Sequence, residues 1–280
     1  MKLLQVITLA IGFLGAGCAS RRQDSPRRNV PVVPHNGVAR LTTENLTDGG
    51  GIYLQNKKGF EKVVIDSECG ELLGGLDLSN TDVVEIQIPA KGLPQLEHLD
   101  LSGAKISALP LANFRSSKME WLILNKTNIS KLELPAGGFP HLTWLNISDT
   151  KISEISLSEL KCENISILDI ANTNISEFQF PTWTFPNLEK LSVSHTKISH
   201  FKLPENGLPN LDYLNLSNTE ISELLIPKIG LPKLKELKLA YTKISHLEIP
   251  SVGLPELTDL DLTGTSISDL QLTGCPKLRK

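Results

Sequence analysis

The stretch Leu234-Lys235-Glu236-Leu237-Lys238-Leu239-Ala240-Tyr241-Thr242-Lys243-Ile244-Ser245-His246-Leu247-Glu248-Ile249-Pro250-Ser251-Val252-Gly253-Leu254-Pro255-Glu256 decides the fold. A shift of 23 residues superimposes nine such segments, in the pattern L-x-x-L-x-L-x-x-T-x-I-S-x-L-x-L-P-x-x-G-L-P-x, with no slip in spacing. One column reads Thr81, Ala104, Thr127, Thr150, Thr173, Thr196, Thr219, Thr242 and Thr265. Two further columns, from Leu76 to Leu260 and from Leu78 to Leu262, are aliphatic at every position. The alternating Leu-x-Leu piece has the period of a strand, and a return path of this length makes successive strands parallel, stacked about 4.8 Å apart. The apolar columns then pile into one core that no single repeat could bury alone.

The return path carries Pro-x-x-Gly-Leu/Phe-Pro runs at 89–94, 135–140, 204–209, 227–232 and 250–255, which argue against a regular α-helix there. Pairs before the prolines, such as Leu132 and Leu134 or Phe178 and Phe180, alternate and predict a second short extended piece. The repeat pattern resembles the leucine-rich-repeat family, the bacterial internalin-like versions above all. The departure is Thr where that family has an Asn that bridges backbone groups of adjacent coils. The Thr hydroxyl can both donate and accept, so Thr81, Thr127, Thr150, Thr173, Thr196, Thr219, Thr242 and Thr265 are expected to form a substitute ladder. The expected fold is thus an α/β-class leucine-rich-repeat solenoid, a horseshoe or arc. A parallel sheet lines its concave face, and its convex side consists of short extended segments and turns with little helix.

The chain of 280 residues is 40% hydrophobic but only 5% aromatic, which suits layers of Leu and Ile. A net charge of -3 gives no basic footprint, so nucleic acid is not an expected partner. Residues 1–17 read as a signal peptide: Lys2, an apolar run from Leu3 to Leu14, then small residues before Cys18. The tract Leu14-Gly15-Ala16-Gly17-Cys18 resembles a bacterial lipobox, with Gly15 where Leu is usual. That resemblance implies lipidation of Cys18, and Ala19 implies outer-membrane sorting; plain secretion is the alternative. Residues 18–40, with Arg21, Arg22, Arg27, Arg28, Pro31 and Pro34, read as a disordered Arg/Pro-rich tether. Residues 41–72 lack the period and read as an N-terminal cap, with Val63-Val64-Ile65 as a capping strand. Residues 73–280 hold nine repeats and part of a tenth, whose open edge leaves the oligomeric state undetermined.

No nucleophile motif, phosphate-cradling loop or zinc spacing is present, so no catalytic residue, metal or cofactor is expected, and the chain reads as a binding scaffold, not an enzyme. Cys69, Cys162 and Cys275 lie roughly four repeats apart, about 20 Å between neighbours, beyond disulfide reach. Alternation points the non-aliphatic strand positions out of the core. Just before the first strand Leu, that column holds His98, Trp121, Trp144, Ile167 and Tyr213, and Ile123 shares the side of Trp121. Two tryptophans facing solvent on adjacent strands predict a patch for a protein or peptide partner. Carbohydrate or peptidoglycan binding and a purely structural envelope role are the alternatives.

Overall fold

The computed structural model describes residues 30–278 except 133, 136, 182–184, 269, 271 and 273. The signal peptide, Cys18 and the arginines of the tether lie outside the described residues. Ten parallel strands form one sheet: β2 (Gly51–Tyr53), β4 (Gly75–Asp77), β6 (His98–Asp100), β7 (Trp121–Ile123), β8 (Trp144–Asn146), β9 (Ile167–Asp169), β10 (Lys190–Ser192), β11 (Tyr213–Asn215), β12 (Glu236–Lys238) and β13 (Asp259–Asp261), in chain order across the sheet. Pairing runs Leu76↔Leu99, Leu99↔Leu122, Leu122↔Leu145 and onward to Leu237↔Leu260. The apolar columns read in the sequence are thus continuous ridges, and from Leu76 to Leu237 every member of the first is 0–1% exposed.

The cap extends this register instead of interrupting it. β1 (Val38–Leu41), β3 (Lys62–Ile65) and β5 (Glu85–Gln87) form a second parallel sheet of three strands. Gly51 pairs with Gly75 and Val38 with Lys62, offsets of 24 residues, so residues 41–72 belong to an additional coil lengthened by one residue. Residues 38–40, expected in the tether, are strand, and Val30 is held by Asn45 Nδ2 at 2.8 Å and by the Glu44 carbonyl at 2.8 Å. Among the described residues, helix is confined to α1 (Ser67–Leu72), α2 (Leu157–Leu160) and two short 3-10 turns. Beyond β5 the expected second extended piece forms no ladder among the described residues. One bond per coil persists just ahead of that piece, as in Asn128 N–H to Ile106 O at 2.9 Å and Lys243 N–H to Ile221 O at 2.9 Å.

Local chemistry closes the turn after a strand of the main sheet in one recurring way, in six of the ten. The side chain at its last position accepts from the backbone two residues on: Asp77 from Ser79 N–H at 2.9 Å, Asn146 from Ser148 N–H at 3.0 Å, Asn215 from Ser217 N–H at 3.0 Å. Asn80, Lys126, Asp149, Asn172, His195, Asn218 and Tyr241 then take positive φ, turning the chain off the sheet. The threonine follows directly. Its hydroxyl donates to the carbonyl three residues back in its own coil, Thr81 to Leu78 and Thr150 to Ile147 each at 2.7 Å, so the bridge expected between coils is a clasp within each coil. Backbone bonds link the coils instead, such as Leu78 N–H to Asp100 O at 2.8 Å and Leu101 N–H to Ile123 O at 2.8 Å.

The Pro-x-x-Gly turn brings neighbouring coils together on the far side. Gly138 donates to Pro135 O at 2.8 Å with φ +62, and a Cβ there would lie 2.4 Å from the Leu160 carbonyl oxygen. Gly137, one residue earlier, faces open space. Gly138→Ala should therefore cost on the order of 1–3 kcal/mol in chemical denaturation, while Gly137→Ala leaves stability within about 0.5 kcal/mol. Equal losses at the two positions would contradict the close approach.

Candidate functional site

Strands β6, β7 and β8 bring three aromatic side chains into one row on the sheet face. The His98 and Trp121 rings lie 4.3 Å apart between centroids, tilted by 44°, and Trp121 meets Trp144 at 5.8 Å, 64° from parallel. Trp121 has a neighbour on each side and stays half-buried. Trp144 is only 8% exposed, which corrects the expectation of two solvent-facing indoles: adjacent large side chains on a sheet cover one another. Its Nε1–H is buried and has no hydrogen-bond acceptor among the described residues. Buried indole N–H groups are usually satisfied, so this one stands out.

Below the row lies a hollow of about 180 Å³, walled by His98, Trp121, Ile123 and Trp144 together with Tyr53, Asp77, Asp100 and Asn146. Of the expected patch, Ile167 on β9 and Tyr213 on β11 lie outside it. Tyr213 is half-buried farther along the sheet, its hydroxyl accepting from Asn215 Nδ2 at 3.1 Å. Sequence reading missed the acidic floor. Asp77 and Asp100 occupy the same outward parity as Ile123, two positions after the aromatic column, and that parity was the available signal. Tyr53 was hidden by the 24-residue offset of the cap.

The electrostatics of the hollow are those of an acid pair without a counter-ion. Burial pushes the Asp100 carboxyl above its usual range, and neighbouring Asp77 adds to the rise, against the pull of the Ser102 hydrogen bonds. Burial holds the His98 imidazole below its ordinary value despite Glu120 and Glu97, which favours the neutral ring near neutral pH. Among the described residues, no group of three or more His, Cys, Asp or Glu side chains is placed to hold a metal ion. Cys69, Cys162 and Cys275 are buried and unpaired, and burial pushes the thiols of Cys69 and Cys162 up to about 11, which keeps them protonated and inert.

Solved structures share this architecture. An internalin J functional domain from Listeria monocytogenes, described as including a cysteine ladder, superimposes with a TM-score of 0.59 at 18% identity over 84% of this chain and 58% of that one. Internalin InlF from Listeria monocytogenes gives 0.60 at 21% identity, covering 79% of this chain and 66% of that one. The fold is that of the leucine-rich-repeat proteins. A plant peptide hormone receptor, RGFR1, solved in complex with RGF2, matches at a TM-score of 0.60 and 21% identity over 80% of this chain and 39% of the receptor. The leucine-rich-repeat solenoid therefore spans less than two thirds of each of these longer structures. No protein-family model and no curated protein sequence matches the chain.

Farther along the same face, burial raises the Asp169 carboxyl to about 6, opposed by its bond from Ala171 N–H at 3.1 Å. An acid that holds its proton more tightly in the fold contributes most below its unfolded value near 4, and stability declines as pH climbs through about 6. Asn146 and Asn215 make the equivalent bond with an amide, so Asp169→Asn keeps the turn and removes the penalty. The variant should melt a few degrees higher at pH 8, a gain on the order of 1–2 kcal/mol at about 1.4 kcal/mol per pKa unit, and match the parent at pH 4. A gain of equal size at both pH values would refute the buried charge as its source.

Proposed function

We propose that this chain is a non-catalytic binding scaffold of the cell envelope, presenting the sheet face of its solenoid to a protein or peptide partner. The observation that carries the reading is the aromatic row His98–Trp121–Trp144 beside a hollow that Asp77 and Asp100 also line. The likeness to internalins and to a peptide hormone receptor supports the scaffold reading at the level of the fold, and none of the neighbours named above is described as an enzyme. Anchoring through a lipidated Cys18, in the outer membrane, belongs to the same proposal and rests on the lipobox resemblance.

Stacking of a sugar on an exposed indole fits this geometry less well. Trp121 is flanked by His98 on one side and Trp144 on the other, so no broad, open ring face is offered. A photoreactive residue in place of Trp121, activated in the native envelope, should yield a discrete crosslinked polypeptide. The same residue at exposed Ile229, away from the sheet, should not. In the same cells a fatty-acid analogue should label the parent and spare Cys18→Ala. Identical crosslinks from both positions, or none from Trp121, would remove the sheet face as the binding surface, and labelling that survives Cys18→Ala would remove the anchor.

A further inference from the structure

Within the strand-end column, the turn does not require a charge: an amide closes it as a carboxylate does, and Ile123 stands in the same column. Asn146 and Asn215 close their turns with an amide at 3.0 Å each, as Asp77 does with a carboxylate at 2.9 Å and Asp100 at 2.8 Å. A carboxylate at 77 and 100 is therefore surplus to the turn, and its desolvation costs stability unless something offsets it. The two acids are register partners on adjacent strands, Asp77 being 7% exposed and Asp100 half-buried. Among the described residues, neither Lys nor Arg lines the hollow. The same lining supplies apolar surface for the stem of a long cationic side chain, from Trp121 and His98.

We propose that the hollow receives one lysine or arginine side chain of a partner polypeptide, Asp77 and Asp100 taking the cation. A volume of about 180 Å³ suits a single side chain, since an apolar cavity of roughly 150 Å³ takes one benzene ring. The inference deepens the sheet-face reading and rests on it.

The test uses the purified chain with residues 21–28 present, titrated by intrinsic tryptophan fluorescence with acetyl-Gly-Arg-Gly-amide, its Lys analogue, and the uncharged citrulline analogue. The basic peptides should give a saturable change, and the citrulline peptide should bind at least tenfold more weakly. The double variant Asp77→Asn and Asp100→Asn should lose at least tenfold in affinity for the Arg peptide. Its fold is checked by circular dichroism, and if the double variant is unfolded, the single Asp100→Asn is read instead. Equal binding of citrulline, or unchanged binding by the folded variant, would overturn the proposal. Gain of peptide binding only after Arg21, Arg22, Arg27 and Arg28 are changed to Gln would also overturn it, by making the chain's own segment the occupant. A Trp121 crosslink that persists in the double variant would sink this inference and leave the sheet-face reading standing. A parent chain with no crosslink would instead sink that reading.

Discussion

Everything in this molecule depends on the backbone register between coils. Each strand of the ten-stranded sheet is only three residues long, too short to be stable as a free pair, yet every coil hands its neighbour N–H groups at fixed positions, as in Leu101 to Ile123 and Gly103 to Asn125, each at 2.8 Å. Because the offset is constant, each leucine falls beside its equivalent and the core becomes one uninterrupted column. A slip of one residue would send the whole aliphatic set to the outer face. Stability is then shared between neighbours, and no coil has a core of its own.

The same register converts surface residues into a site. His98, Trp121 and Trp144 are far apart in sequence and meet only because β6, β7 and β8 are in phase. Asp77 and Asp100 are brought side by side by the same pairing. Where the strand-end column holds Asp or Asn it plays two parts at once, closing the turn with one oxygen and tuning the charge of the sheet face through the choice of amide or acid. Where the repeat chose Asn the face is neutral, and where it chose Asp near the aromatic row the face is acidic.

Much of this was legible in the chain. The aliphatic columns, the parallel strands and the scarcity of helix follow from a fixed period, from alternation and from Pro-x-x-Gly. Three features were not. The cap escaped because a search at one spacing passes over a coil with one more residue, though Gly51 and Gly75 occupy the same position in space. The threonine clasp escaped because a hydroxyl that can bridge coils can also reach the carbonyl three residues back, and the closer group won. The burial of Trp144 escaped because alternation tells which side of a sheet a residue leaves by and is silent on what its neighbours then cover. The hollow itself depends on that covering, so its walls were half visible and its floor, Asp77 and Asp100, was not.

In-register stacking has a direct distance signature. Spin labels at Lys105 and Lys243, two exposed positions in one column six coils apart, measured by pulsed electron resonance, should give one narrow distribution near 30 Å, six strand spacings of about 4.8 Å each. A broad distribution, or one centred well beyond about 40 Å, would mean that the repeats pack as separate lobes. The ridge, the hollow and the face they form would then not exist.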